Sequence, residues 1–202
     1  MGILCLFGGT FNPVHNGHLA AARQAAARLY AEEIVFIPAR VPPHKDTGNL
    51  ASAHHRLAML HLALAGVAAW SCSDIEIRRP PPSYTIDTVR AFRASHPQAV
   101  LNFLTGTDAL RHLHLWKEIG ALVRECTLVL LARPGFTPAI PPALAAVLTP
   151  DDTMRLTAAM LPIATPDISA TRVRAMIRAG EDTTGLVPPP VADYIRTHRL
   201  YT

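Results

Sequence analysis

Charge and aromatic side chains are scarce in this chain. Of its 202 residues only 17% are charged and 6% aromatic, while 50% are apolar. That composition excludes intrinsic disorder and collagen-like or coiled-coil architectures. No apolar run is long enough for a membrane. The longest, from Leu57 to Trp70, carries His61 and Gly66. It falls short of the roughly 18 residues a span needs and reads as a buried helix. The opening MGILCLFGG has no cationic segment and too short an apolar run for a signal peptide. Gly2 lacks the Ser or Thr four residues on that myristoylation requires. Cysteine is sparse and unpaired: Cys5, Cys72 and Cys126 make no CxxC. An odd, scattered set fits a reducing compartment. The expected location is the cytoplasm, with no membrane partner and with the thiols serving as small hydrophobes.

Internal repeats and low-complexity tracts are also missing, and glycine (11) is outnumbered by proline (18), which makes for stiff loops. The length is that of one domain. We expect a single unit over residues 1–202 whose C-terminal helical part spans about 166–202. The net charge of +4 suits nucleic acid or small anionic substrates equally. Scattered basic residues, few aromatics and no recognition motif count against nucleic acid.

What is present alternates. Ile3–Phe7, Ile34–Ile37, Val100–Thr105 and Thr127–Leu131 are short, nearly continuous apolar runs that read as buried strands, and Met160–Ala164 is a further candidate. Helices are expected over Gly17–Tyr30, from a Ser52 cap to about Ala65, from a Ser83 cap over Tyr84 to about Ala94, from a Ser169 cap to about Ala179, and over Val191–His198. Fully buried strands interleaved with helices imply a parallel sheet. The predicted fold is α/β, a Rossmann-like, doubly wound open sheet with helices on both faces. Ligands of such sheets bind beyond the strands' carboxyl ends.

The first strand leads into GGTFNPVHNGH, Gly8–His18. Gly8 and Gly9 let backbone approach a ligand. The helix opening at Gly17 offers unpartnered N–H groups and a dipole to an anion. His15 and His18 flank that start and, leaning toward it, can donate to phosphate oxygens. No cysteine or carboxylate stands nearby to complete a zinc site. The loop has neither the GxxxxGK[ST] nor the GxGxxG spacing. A second anion cradle reads out of ISATRVR, Ile168–Arg174, where Ser169 and Thr171 open a helix with Arg174 nearby. Arg172 and Arg178 read as surface charges.

GGTFNPVHNGH resembles the signature of the nucleotidyltransferase superfamily, whose HxGH motif binds ATP phosphates. Its long form is similar to that of the bacterial nicotinate-nucleotide adenylyltransferases, with Asn12 where Asp is commoner. ISATRVR resembles that superfamily's second phosphate motif, with Ala170 in place of a serine. The resemblance assigns Gly8, Gly9, Thr10, Phe11, His15, His18, Gly106, Asp108, Arg133, Ser169, Thr171 and Arg174 to ATP, with Gly9 and Asp108 also facing the acceptor nucleotide.

Acceptor recognition is expected in the middle of the chain. Pro42-Pro43-His44-Lys45 looks like that branch's loop, with Lys45 a point charge for phosphate. SYTIDT, Ser83–Thr88, opens a helix whose N–H groups suit a carboxylate. The family sets this loop, here Ser83, Tyr84 and Thr85, against the nicotinate ring and its carboxylate. In GTDALRHLHLW, Gly106 gives room, Asp108 can bind ribose hydroxyls, Trp116 can stack on a pyridine ring, and the Lys117 N–H can meet a carboxylate. Arg133-Pro134-Gly135 matches the branch's RPG, which points Arg133 at phosphate.

The resemblance implies AMP transfer from ATP to nicotinate mononucleotide, giving nicotinate adenine dinucleotide and pyrophosphate in NAD biosynthesis. His15, His18, Lys45 and Arg174 would carry the catalysis, and Mg²⁺ would arrive with ATP. The alternatives are an adenylyltransferase for nicotinamide mononucleotide or phosphopantetheine, and a nucleotide-sensing module without turnover.

Overall fold

The structure, a computed structural model, describes residues 2–41, 50–132 and 139–202. Among them six strands make one parallel sheet: β1 Ile3–Gly9, β2 Glu33–Pro38, β3 Trp70–Cys72, β4 Val100–Gly106, β5 Thr127–Ala132 and β6 Met160–Pro162. Their order is β3-β2-β1-β4-β5-β6, and every pairing is parallel. The chain winds outward from β1 in one direction, then returns to β4 and winds in the other. This is the doubly wound Rossmann-like arrangement, and its switch point lies between β1 and β4.

The strands' unbroken apolar runs are explained by helices on both faces. Cys5 and Phe7 point into one core and Leu4 and Leu6 into the other, as a period of two requires. The first core is closed by α1 (Asn16–Leu29), α2 (Ala53–Leu64), α8 (Ala170–Arg178) and α9 (Pro189–Thr197) through Ala22, Met59, Val173 and Val191. The second is closed by α4 (Thr85–Ser95), α5 (Ile119–Glu125) and α7 (Pro150–Ala158) through Val89, Leu122 and Leu156. Short α3 (Ile75–Arg78) and α6 (Pro142–Ala145) and two 3₁₀ turns, Thr107–Arg111 and Leu113–Leu115, complete the chain. Among the described residues no helix is long and apolar enough to cross a membrane.

Several local expectations need correction. The Leu57–Trp70 run is not one helix. It ends at Leu64, turns through Gly66 at φ +85°, and enters β3 at Trp70. Ser83 does not cap α4. Its hydroxyl accepts the Arg40 N–H at 3.1 Å, and Tyr84 occupies the cap position. The last strand stops at Pro162 instead of Ala164. Ser52 and Ser169 do cap, accepting from His55 N and Arg172 N. Gly180, at φ +69°, stands just past the end of α8.

Candidate active site

The carboxyl ends of β1 and β4 flank the switch point, and the two histidines lie just beyond β1. His15 is buried and precedes α1; His18 sits in its first turn, and the two rings stack at 3.6 Å between centroids. The His15 N–H donates to His18 Nδ1 at 3.3 Å. An accepting Nδ1 leaves the neutral ring's proton on Nε2, so His18 presents that nitrogen as a donor. Behind it lies an aromatic wall. Phe11 is 2% exposed and meets His18 edge-on at 5.1 Å, and Phe7 at 5.6 Å. Phe11 therefore braces the imidazole and leaves only its backbone to a ligand.

The helix start itself is less open than its sequence suggests. Asn16 N–H donates to Leu186 O at 2.8 Å and His18 N–H to His15 O at 2.9 Å. Among the described residues only the Gly17 N–H of that first turn stays available. Gly8 and Gly9 also answer to the protein before any ligand. A Cβ on Gly8 would stand 2.3 Å from the Phe103 ring, and one on Gly9 2.8 Å from Phe11.

The second cradle abuts the first. A Cβ on Gly17 would lie 3.5 Å from the Ile168 carbonyl, so the starts of α1 and α8 are neighbours. Ser169 Oγ accepts from Arg172 N at 3.2 Å, which leaves its own hydroxyl hydrogen to donate. The N–H groups of Ala170 and Thr171 carry no bond among the described residues. Arg174 donates Nη1 to Asn12 O at 2.8 Å and Nη2 to Thr171 Oγ1 at 3.4 Å. Its buried Nε has no partner among the described residues.

Three residues that bind this region together escape a reading of the sequence. Arg56 is fully buried, with no carboxylate paired to it among the described residues. It donates to Ala51 O, Thr10 O and Arg40 O at 3.0, 2.8 and 3.0 Å. Burial pulls its pKa down, partly offset by Tyr201. Asn12 Oδ1 accepts both the Ala51 N–H at 3.1 Å and the Tyr201 hydroxyl at 2.8 Å. Tyr201's own pKa is raised by burial, against the pull of Arg174 and Arg56. Each bond spans 39 residues or more except two of Arg56's, so no local motif announces it.

The acceptor-side residues gather on the other face of the sheet. Tyr84 caps α4, and the N–H groups of Thr85, Ile86 and Asp87 form no bonds among the described residues. Lys117 Nζ contacts both Asp87 oxygens, at 3.0 and 3.2 Å, and sits 5.0 Å over the Tyr84 ring. Trp116 meets Phe103 edge-on at 6.4 Å. Phe103 in turn underlies Gly8, which links the acceptor side to the first loop. Asp108 is exposed just past β4, without a hydrogen-bond or charged partner among the described residues, and Gly106 faces open space. Ser83 is buried, and its hydroxyl accepts the Arg40 N–H. Lys45 and Arg133 lie outside the described residues. The thiols are unreactive in character: burial pushes Cys5 to about 11 and Cys72 and Cys126 to about 12.

A family model described as cytidylyltransferase-like matches residues 6–176. A relative from Symbiobacterium thermophilum, named a probable nicotinate-nucleotide adenylyltransferase, is 40% identical over 100% of this chain and 96% of its own. One of the same name from Chromobacterium violaceum is 42% identical over 97% of each. The chain belongs to the cytidylyltransferase-like family, in its nicotinate-nucleotide adenylyltransferase branch. Its fold is also that of a solved adenylyltransferase. The Plasmodium falciparum nicotinic acid mononucleotide adenylyltransferase, solved with APC and with NaAD, superposes with a TM-score of 0.76 at 20% identity, covering 100% of this chain and 98% of the other.

Proposed function

We propose that the protein transfers AMP from ATP to nicotinate mononucleotide, forming nicotinate adenine dinucleotide and pyrophosphate. One observation carries this reading. The α1 start, with the Gly17 N–H and the two histidines, and the α8 start, with the Ala170 and Thr171 N–H groups and the Ser169 hydroxyl, abut on one side of the switch point, and an open α4 start faces the same strand ends from the other side. The first arrangement suits a polyphosphate and the second a carboxylate. The names of the full-length relatives support it.

The acceptor's phosphate oxygen attacks the α-phosphorus. A bond forms between them as the bond from the α-phosphorus to the bridging oxygen breaks, and its electron pair leaves with pyrophosphate. The nucleophile is already ionised, so no general base and no Ser or Cys nucleophile is required. Catalysis is alignment plus charge stabilisation. His18 Nε2–H and His15 stabilise charge on the transferring and leaving phosphates. Ser169, Thr171 and Arg174 grip the leaving group, with the free Arg174 Nε–H as a further donor. Asp108 takes ribose hydroxyls. Thr85 and the Lys117 N–H receive the nicotinate carboxylate beside Trp116. Lys45 neutralises phosphate.

The cradle consists of imidazoles, hydroxyls and a guanidinium, with no carboxylate among them. Among the described residues no three His, Cys, Asp or Glu side chains come together. Such a set does not fit a resident divalent ion, which takes oxygen ligands. Mg²⁺ belongs to the MgATP substrate.

The deciding assay is pyrophosphate release from MgATP, run against nicotinate mononucleotide, nicotinamide mononucleotide and phosphopantetheine. We expect release with the first. Release with only another acceptor would overturn the acceptor half of this reading. ATP binding without release would make the protein a nucleotide sensor.

A further inference from the structure

The turn that presents the Lys117 N–H is held from outside. Glu118 stands in the left-handed region at φ 52°, a conformation unfavourable for any residue with a Cβ. On one side its carbonyl is tied into α5, accepting the Leu122 N–H at 2.9 Å; among the described residues the Lys117 N–H makes no hydrogen bond. Side chains tie the turn to α4 as well. Lys117 Nζ bonds both oxygens of Asp87, and Glu118 Oε2 receives Arg90 Nη2 at 2.7 Å. Asp87 and Arg90 are three apart and so share one face of the helix. Arg90 reaches on to Glu125 at the far end of α5, also at 2.7 Å. The polarity of the pairs specifies their register. A slip by one residue would bring Glu118 toward Asp87 in one direction or Lys117 toward Arg90 in the other, like charge against like.

We propose that Asp87 and Arg90 are positioning residues that clamp the Lys117–Glu118 turn and thereby set the preference for an acidic over an amidated acceptor. This rests on the acceptor reading above. The chemistry runs through two sets of N–H donors, one at the start of α4 and one at Lys117. A carboxylate offers both of its oxygens to them. A carboxamide offers one oxygen and an NH₂ group that opposes the second donor. Discrimination therefore requires both donors to be aimed at once, and the ion pairs hold the second against the first. The four side chains are 29% to 44% exposed, so their removal leaves the cores untouched.

Three variants test this: Asp87→Asn, Glu118→Gln, and the charge exchange Asp87→Lys with Lys117→Asp. Two readouts are taken. The first is amide hydrogen exchange of segment 113–120 in the free protein, which needs no substrate. The second is KM and kcat for both mononucleotides and for ATP. Exposed pairs are individually weak, so we expect Asp87→Asn to speed exchange and raise KM for nicotinate mononucleotide by about two- to fivefold. The acid-over-amide ratio should fall by a similar factor while KM for ATP stays put. The charge exchange should recover more than half of each loss. Unchanged exchange, an unchanged ratio, or a charge exchange no better than the single variants would overturn the proposal. A wild-type protein that used neither mononucleotide would remove the acceptor reading, and the exchange measurement would still decide the clamp.

Discussion

His18 owes its usefulness to the His15 and Phe11 contacts that fix its tautomer and its orientation. The His15 N–H on Nδ1 selects the tautomer, the Phe11 ring fixes the tilt, and the stacked His15 ring limits rotation. A donor so constrained needs little reorganisation when charge develops on a phosphate. His18→Ala should keep the fold and lower kcat by about 10²-fold or more, read by steady-state turnover beside an unchanged circular dichroism spectrum. Near-normal turnover would remove His18 from the mechanism. Its imidazole was legible in the sequence because the HxGH spacing is local. Arg56 was not legible, because nothing in the letters HHRL says that an arginine there will be fully enclosed by three backbone carbonyls.

At the scale of elements, α8 has one fully buried apolar residue, Val173, with Ile177 packed partly against the same core, and one cap, Ser169. With so little apolar burial, the cap matters more than it would for a buried helix. Ser169→Ala should cost about 1 kcal/mol in urea unfolding and raise KM for ATP, because the same hydroxyl caps with its oxygen and donates with its hydrogen. A stability loss with no change in KM would leave Ser169 a cap and nothing else. Strands β1, β2, β4 and β5 were readable as apolar runs because each is buried on both faces. β3 was missed because it has three residues, two of them Ser71 and Cys72. The helices α5 and α7 were missed because each is short and amphipathic, with its pattern broken by a glycine or opened by Pro150. Ser83 misled for a different reason: its partner, Arg40, is 43 residues away. Serine before an amphipathic run is a sound local cue, but a long-range hydrogen bond outweighed it.

At the scale of the whole molecule, stability at neutral pH carries one buried carboxyl that favours its proton. Glu76 lies under α4, accepting from Thr88 Oγ1 at 2.7 Å. Burial raises its pKa above 4.5, against the opposing effects of Thr88, Arg79 and Ser83. The folded state thus holds this proton more tightly than the unfolded chain. The stabilisation is complete below the ordinary carboxyl value and is lost as pH rises through the raised one. Glu76→Gln keeps the acceptor oxygen for Thr88 and removes the titration. Its unfolding midpoint should therefore gain on wild type between pH 4 and pH 8, followed by thermal melts across that range. A wild-type and variant pair with parallel pH profiles would contradict this.

The sheet has one more consequence. The helices proposed for ATP, α1 and α8, pack into one core, and α4 and α5, proposed to shape the acceptor side, pack into the other. The strands stand between them as a partition. On that proposal, a change on the acceptor side is absorbed by its own hydrophobic layer and reaches the adenylate side across the strand ends, where Gly8 meets Phe103 and where Arg40 joins Ser83 to Arg56. The architecture is in this sense a donor half and a recipient half bolted back to back. A new acceptor can be accommodated by rebuilding α4 and the turn before α5, with the machinery for activating ATP left as it stands.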